Sequence, residues 1–288
     1  MKTNSSIIVP LIVSGFLATA TFAFAQGTLT PPGAPAPTMK SLDQIEPRIP
    51  ITYDGYNINK PGSYYVTTNL TGSPYGVPGS PYGIQIASDN VTVDLNGFTL
   101  QGVPGSYSGV YINGSHTNIT VRNGIITGWG GNGVTWNYPS TPPPQNVVLE
   151  HLTVYANANH GIVTGNGCIV SDCLVVNDGF DGIFVYGNGS QIIGNTLIGN
   201  AANTDGGAGI GVEGSNNRIE GNHVTGTASS RAFGYGIECD TSGFINNIII
   251  KNSVSGNGAN NYSVASGNDV GPVGTAATST SPWANISH

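Results

Sequence analysis

The stretch GIFVYGNGSQIIGNTLIG, Gly182 to Gly199, returns 27 residues later as GIGVEGSNNRIEGNHVTG, Gly209 to Gly226. Both run glycine, then hydrophobic-any-hydrophobic, a short polar turn, a second apolar run, an asparagine, and a last strand ending at glycine. GIQIASDNVTVDLNGFTLQG from Gly83, GVYINGSHTNITVRNGIITG from Gly109 and GIECDTSGFINNIIIKNSVSG from Gly236 follow the same plan. GVTWNYPSTPPPQNVVLEHLTV from Gly133 and GIVTGNGCIVSDCLVV from Gly161 are looser copies. The starting glycines step by 26, 24, 28, 21, 27 and 27 residues.

A period in the twenties marks a solenoid, in which each unit buries its apolar face only against its neighbours. A leucine-rich repeat needs several leucines per unit and often a helix. These units are instead β-branched, rich in Gly and Asn, and split into short strands without helical periodicity. The expected fold is therefore all-β, a single-stranded right-handed parallel β-helix of seven to eight coils with an N-terminal cap. Coils spaced at about 4.8 Å would build a rod of roughly 35–40 Å. A polar residue before the last strand of each coil gives a second column, Asn96, Asn123, Glu150, Asp172, Asn195, Asn222 and Asn252. Stacked Asn side chains bond coil to coil, so this column is read as architecture, as are the sequons at Asn69, Asn90 and Asn188.

Outward from the repeat, residues 1–25 read as a secretory signal. Lys2 precedes an apolar run from Ile7 to Phe24, and Ala23-Phe24-Ala25 suits cleavage before Gln26. Residues 26–40, rich in Pro and Ala, form a linker. Residues 41–55 form an N-terminal cap, with a helical turn started by Ser41 and stopped before Pro47. The β-helix spans 56–259, and 260–288 is a C-terminal cap or tail. The mature protein is expected outside the cytoplasm, secreted or periplasmic, as a monomer with no membrane insertion after signal cleavage.

Cleavage leaves 7 basic and 15 acidic residues, a net charge of −8. That disfavours nucleic acid, which is bound by clustered Lys and Arg. It permits a neutral glycan, or an acidic one held through metal ions. Cys168, Cys173 and Cys239 cannot make a disulfide framework and are read as buried thiols.

Candidate chemistry follows from strand alternation, which turns the positions between the hydrophobic ones outward. Coil by coil the outward pairs are Gln85/Ala87, Tyr111/Asn113, Thr135/Asn137, Val163/Gly165, Phe184/Tyr186, Gly211/Glu213 and Glu238/Asp240. The residue before each glycine adds His160, Asp181 and Tyr235. Early coils are nearly uncharged on this face, whereas later coils gather aromatics and carboxylates. Glu213 and Asp240 fall on neighbouring coils, where they either raise one another's pKa or share a cation such as Ca²⁺. A raised acid protonates a glycosidic oxygen while a second carboxylate acts as base or nucleophile. A bound cation would neutralise a uronate. His160 with Asp181 is a candidate base and its orienting partner. Arg231 is placed to hold an acidic substrate, and Phe184, Tyr186 and Tyr235 to stack on sugar rings. The catalytic candidates are thus His160, Asp181, Glu213, Glu238 and Asp240.

APTMKSLDQIEPR from Ala36, INKPGSYYVTTNLTG from Ile58, VTVDLNGFTLQG from Val91, RNGIITGWGG from Arg122 and SGNGANNYSVASGNDVGP from Ser255 resemble a broad group of secreted bacterial β-helix proteins with no settled activity. The repeats as a whole resemble the pectin-lyase-like superfamily, which implies a polysaccharide partner and lyase, epimerase or hydrolase chemistry. The superfamily's signatures do not carry over. The polygalacturonase pattern is met only by Asn203-Thr204-Asp205, in a turn. No spacing selects Arg218, Arg231 or Lys251 as the proton abstractor of a pectate lyase. Two roles therefore stand side by side. One is a carbohydrate-active protein working on the outer face of the later coils. The other is a non-catalytic envelope or surface repeat protein that binds or spaces.

Overall fold

Each Gly-hydrophobic-x-hydrophobic segment forms a short strand, and in the computed structural model these strands stack in parallel. The structure describes residues 47–76, 80–139, 142–203, 206–227 and 234–288. The signal segment, the linker, Ser41 and Arg231 lie outside them. Nine strands form one sheet, the front: Tyr56–Ile58, Ile84–Ile86, Val110–Ile112, Val134–Trp136, Ile162–Thr164, Ile183–Val185, Gly207–Val212, Gly234–Cys239 and Tyr262–Val264. A second, bent sheet supplies the other two faces of each coil. The chain is a right-handed parallel β-helix. Among the described residues there is no helix, and none that could cross a membrane.

The register follows the repeat. Gln85 pairs with Tyr111, Tyr111 with Thr135, Val163 with Phe184, Phe184 with Gly211, and Gly211 with Glu238. Inward positions fall into apolar columns. Val93, Val121, Leu149, Val170, Ile192, Ile219 and Ile249 succeed one another on one face, all buried. Leu100, Ile126, Val154, Val175, Leu197, Val224 and Val254 do so on another. Branched side chains suit such stacks because χ1 is already restricted, and each fully buried one contributes about 1.5–3 kcal/mol. The three thiols are free and buried within this core, and burial pushes each of them up.

The asparagine column needs correction. It merges three consecutive positions at the corner between the rear faces, the first being Glu150, in register with Arg122 and Ser171. The second is left-handed, occupied by Asn123 (φ 59°), His151 (φ 53°), Asp172 (φ 53°) and Lys251 (φ 59°), with glycine at 194 and 221. Asn tolerates that conformation better than other residues with a Cβ. The next position points inward and holds the ladder itself. Asn195 donates Nδ2–H to Asn222 Oδ1 (3.0 Å), Asn222 to Asn252 (3.0 Å) and Asn252 to Asn285 (3.1 Å). Each oxygen also accepts the backbone N–H of the preceding coil's Asn. Asn96, Asn123 and Asp172 stand outside the ladder, and Glu150 lies 3.8 Å from Arg122 in a row of ion pairs. Strands also pair beyond 56–259. Ile49–Ile51 pairs with Tyr64–Val66, and Ser253 faces Ile286.

A third corner carries an exception. Asp178 occupies a ladder site between Asn157 and Asn200, fully buried. Its Oδ1 accepts from Asn157 N–H and Nδ2–H (2.8 and 2.9 Å), while Oδ2 has no hydrogen-bond partner. Burial pushes this carboxyl up to about 7, against which the two Asn157 bonds act.

Asn222→Ala orphans the buried N–H of Asn195 and is expected to cost about 2–3 kcal/mol in urea unfolding. Asn188→Ala, in an exposed ladder, should cost under about 1 kcal/mol because water replaces the bond. For Asp178 the native state holds its proton up to about pH 7 while the unfolded chain releases it near pH 4. Stability should therefore fall as pH rises through that window, by on the order of 4 kcal/mol. Asp178→Asn should flatten the slope and stabilise the protein at pH 8. An unchanged pH slope in the variant would rule out Asp178 as its source.

Candidate functional site

The later front-sheet coils bring the outward candidates into one cleft of about 380 Å³, lined by His160, Asp181, Phe184, Glu213, Glu238 and Asp240, with Tyr138, Phe180 and Thr241. The cleft exists because one side chain is missing. In the column Phe184, Gly211, Glu238, the middle coil has no side chain, and the column beside it is narrowed to Ala208. A Cβ on Gly211 would lie 3.1 Å from Asp181 Oδ2 and 3.5 Å from the Phe184 ring.

Asp181 is 4% exposed, and its Oδ1 accepts the Ala208 N–H at 2.5 Å. Its Oδ2 lies 3.4 Å from His160 Nδ1, an ion-pair distance without a formed hydrogen bond. His160 is wedged between aromatics, stacked on Phe184 (5.0 Å, 16°) and edge-on to Phe180 (4.8 Å, 79°). Tyr138 closes the other side, edge-on to Phe184 (5.5 Å) and Tyr186 (4.6 Å). That cover buries Phe184 to 7% exposure, although its column faces outward.

The carboxylates interact through the cleft. Burial first, then Asp240, Asp181 and Glu213, push Glu238 up to about 7. Burial and then Asp181 raise Glu213, while His160 pulls it back. Burial leads again at the Tyr138 hydroxyl, followed by Glu213, Tyr186 and Asp181. The cleft brings together the expected carboxyl candidates Asp181, Glu213, Glu238 and Asp240. The strongly raised group is Glu238, which faces the gap at Gly211. Asp240 is exposed and accepts a hydrogen bond from Ser263 Oγ (3.0 Å).

No described Lys or Arg lines the cleft. Nor do the donors fit a metal. One Asp181 oxygen is taken by a backbone N–H, and among the described residues no three of His, Cys, Asp and Glu are grouped to hold an ion. Tyr235 pairs in register with Ala208 and is not among the lining residues.

Tyr138, Phe180 and Thr241, the last in the turn after the Glu238 strand, escape the repeat pattern. Tyr138 sits in the Pro-rich insertion after Trp136, whose path the repeat does not fix. Phe180 lies one position before the outward column and was within reach by extending that column back by one.

Comparisons with known proteins fit this architecture. A family model described as a right-handed beta helix region matches residues 78–202. No curated protein matches the sequence. A periplasmic alginate epimerase structure superposes with TM-score 0.53 at 14% identity, covering 82% of this chain and 61% of that one. The enzymatically active domain of bacteriophage CBA120 tailspike protein 2 gives TM-score 0.51 at 14% identity, covering 83% and 42%. The A-module of a mannuronan C-5 epimerase from Azotobacter vinelandii gives 0.47 at 17% identity, covering 82% and 79%. Identities this low speak to fold alone. By its coil register, and with the family model over residues 78–202, the chain is a right-handed parallel β-helix.

Proposed function

We propose that the chain binds a polysaccharide across its later coils and hydrolyses it in the cleft. The observation that carries this reading is Glu238, a carboxyl raised to about 7 among three other carboxylates and beside a wall of aromatic rings. A group with that pKa holds its proton in about half of the molecules at neutral pH and donates it readily. In the proposed step Glu238 gives its proton to the glycosidic oxygen as the C–O bond breaks. Water attacks the anomeric carbon and passes its proton to Asp181, which Ala208 N–H holds in place. Phe184, Tyr138 and Tyr186 offer apolar faces to the sugar ring. The acidic lining favours a neutral glycan over a polyuronate. The structural likeness to an alginate epimerase is consistent with a glycan-directed role without specifying the reaction.

The test is incubation of the purified protein with neutral and acidic polysaccharides, with and without Ca²⁺, followed by reducing-end and unsaturated-product assays. New reducing ends on a neutral glycan without unsaturated product are expected, with an alkaline limb near pH 7. Glu238→Gln should lower the rate by about 10²–10⁴ and remove that limb. Retention on a glycan with no product would leave a binding role and overturn hydrolysis. Ca²⁺-dependent unsaturated product would replace hydrolysis with lysis. Gly211→Val places a branched side chain against Asp181 Oδ2 and is expected to abolish turnover. Its unfolding midpoint should stay close to wild type, since the added atoms project out of the core.

A further inference from the structure

We infer that the front face carries a second glycan-binding subsite, a tyrosine platform on the early coils aligned with the cleft. The inference rests on the glycan reading above and extends it to the length of chain engaged. Tyr82 stacks on Tyr111 (4.2 Å, 10°) and Tyr75 on Tyr107 (5.1 Å, 14°), and Tyr82 meets Tyr107 edge-on (5.5 Å, 65°). Tyr75 is 68% exposed and Tyr107 39%. Tyr82 and Tyr111 are half-buried beside them, so the exposed Tyr75 and Tyr107 rings offer the apolar surface and hydroxyl that suit a sugar.

Alignment connects the platform to the cleft. Backbone bonds run Gly131 N–H to Tyr107, Asn159 N–H to Gly131 and Phe180 N–H to Asn159, which sets Tyr107 and Phe180 in one column. Tyr111 and Phe184 share another, through Thr135 and Val163. Both columns therefore open on a tyrosine and close on a cleft phenylalanine three coils later. At coil spacing that separation is on the order of 14 Å, the reach of a short oligosaccharide. In the first column Gly131 and Asn159 form a small, polar, solvent-facing floor, whereas Thr135 and Val163 of the second are buried, so the open path follows the first column. A glycan lying along the rod axis would meet aromatic rings at both ends and the Asn159 amide between.

The test uses affinity electrophoresis in gels containing hydroxyethylcellulose, laminarin, xylan, galactomannan, alginate or polygalacturonate, on a Glu238→Gln background so that no glycan is consumed. Short oligosaccharides of the retained polymer then compete. Tyr75→Ala with Tyr107→Ala should weaken polymer retention about tenfold and leave competition by an oligosaccharide that fills only the cleft unchanged. Equal weakening for both lengths, no weakening for either, or no retention by any polymer would overturn the platform. Turnover with undiminished retention in the tyrosine variant removes the platform and leaves the cleft reaction standing. Tyrosine-dependent retention without turnover keeps the platform and removes the reaction.

Discussion

Parallel backbone hydrogen bonding between successive coils is the constraint on which the molecule depends. Every coil must repeat the path of the one before it, at strand spacing and in register. A residue's neighbours along the rod are then its equivalents in adjacent coils. An outward change on one coil is felt directly by the two beside it. The Phe184–Gly211–Glu238 column and the asparagine ladder are both results of this rule.

The rule explains what the sequence revealed. Front-sheet register was legible because Gly-hydrophobic-x-hydrophobic starts each coil and side chains alternate on a strand. It places His160, Asp181, Phe184, Glu213, Glu238 and Asp240 on one face. The rear corner was less legible, because asparagine serves two adjacent positions there for different reasons. At Asn123 it accepts a left-handed backbone, and at Asn222 it bonds coil to coil. A pattern of residue types cannot separate those causes. Tyr138 was hidden in an insertion, and the elevation of Glu238 depends on burial that a linear pattern does not report.

The electrostatics also divide by cause. Asp178 and Glu238 are both lifted to about 7 and both are led there by burial. Asp178 is closed inside a corner, where its proton bears on stability alone. Glu238 opens on a cleft beside other carboxylates, where its proton is available to a ligand. The same shift bears on stability at one place and, in the proposed reaction, on chemistry at the other.

Gly211 gives the cleft a particular kind of origin. The hollow is the omission of a side chain from a column whose backbone continues unbroken on either side. The fold therefore places no demand on whether the hollow is present. A solenoid of this type acquires or erases a site by a change at one outward position, with the rod as indifferent support. Diversification can thus act on the outward columns while the inward ones stay fixed by packing.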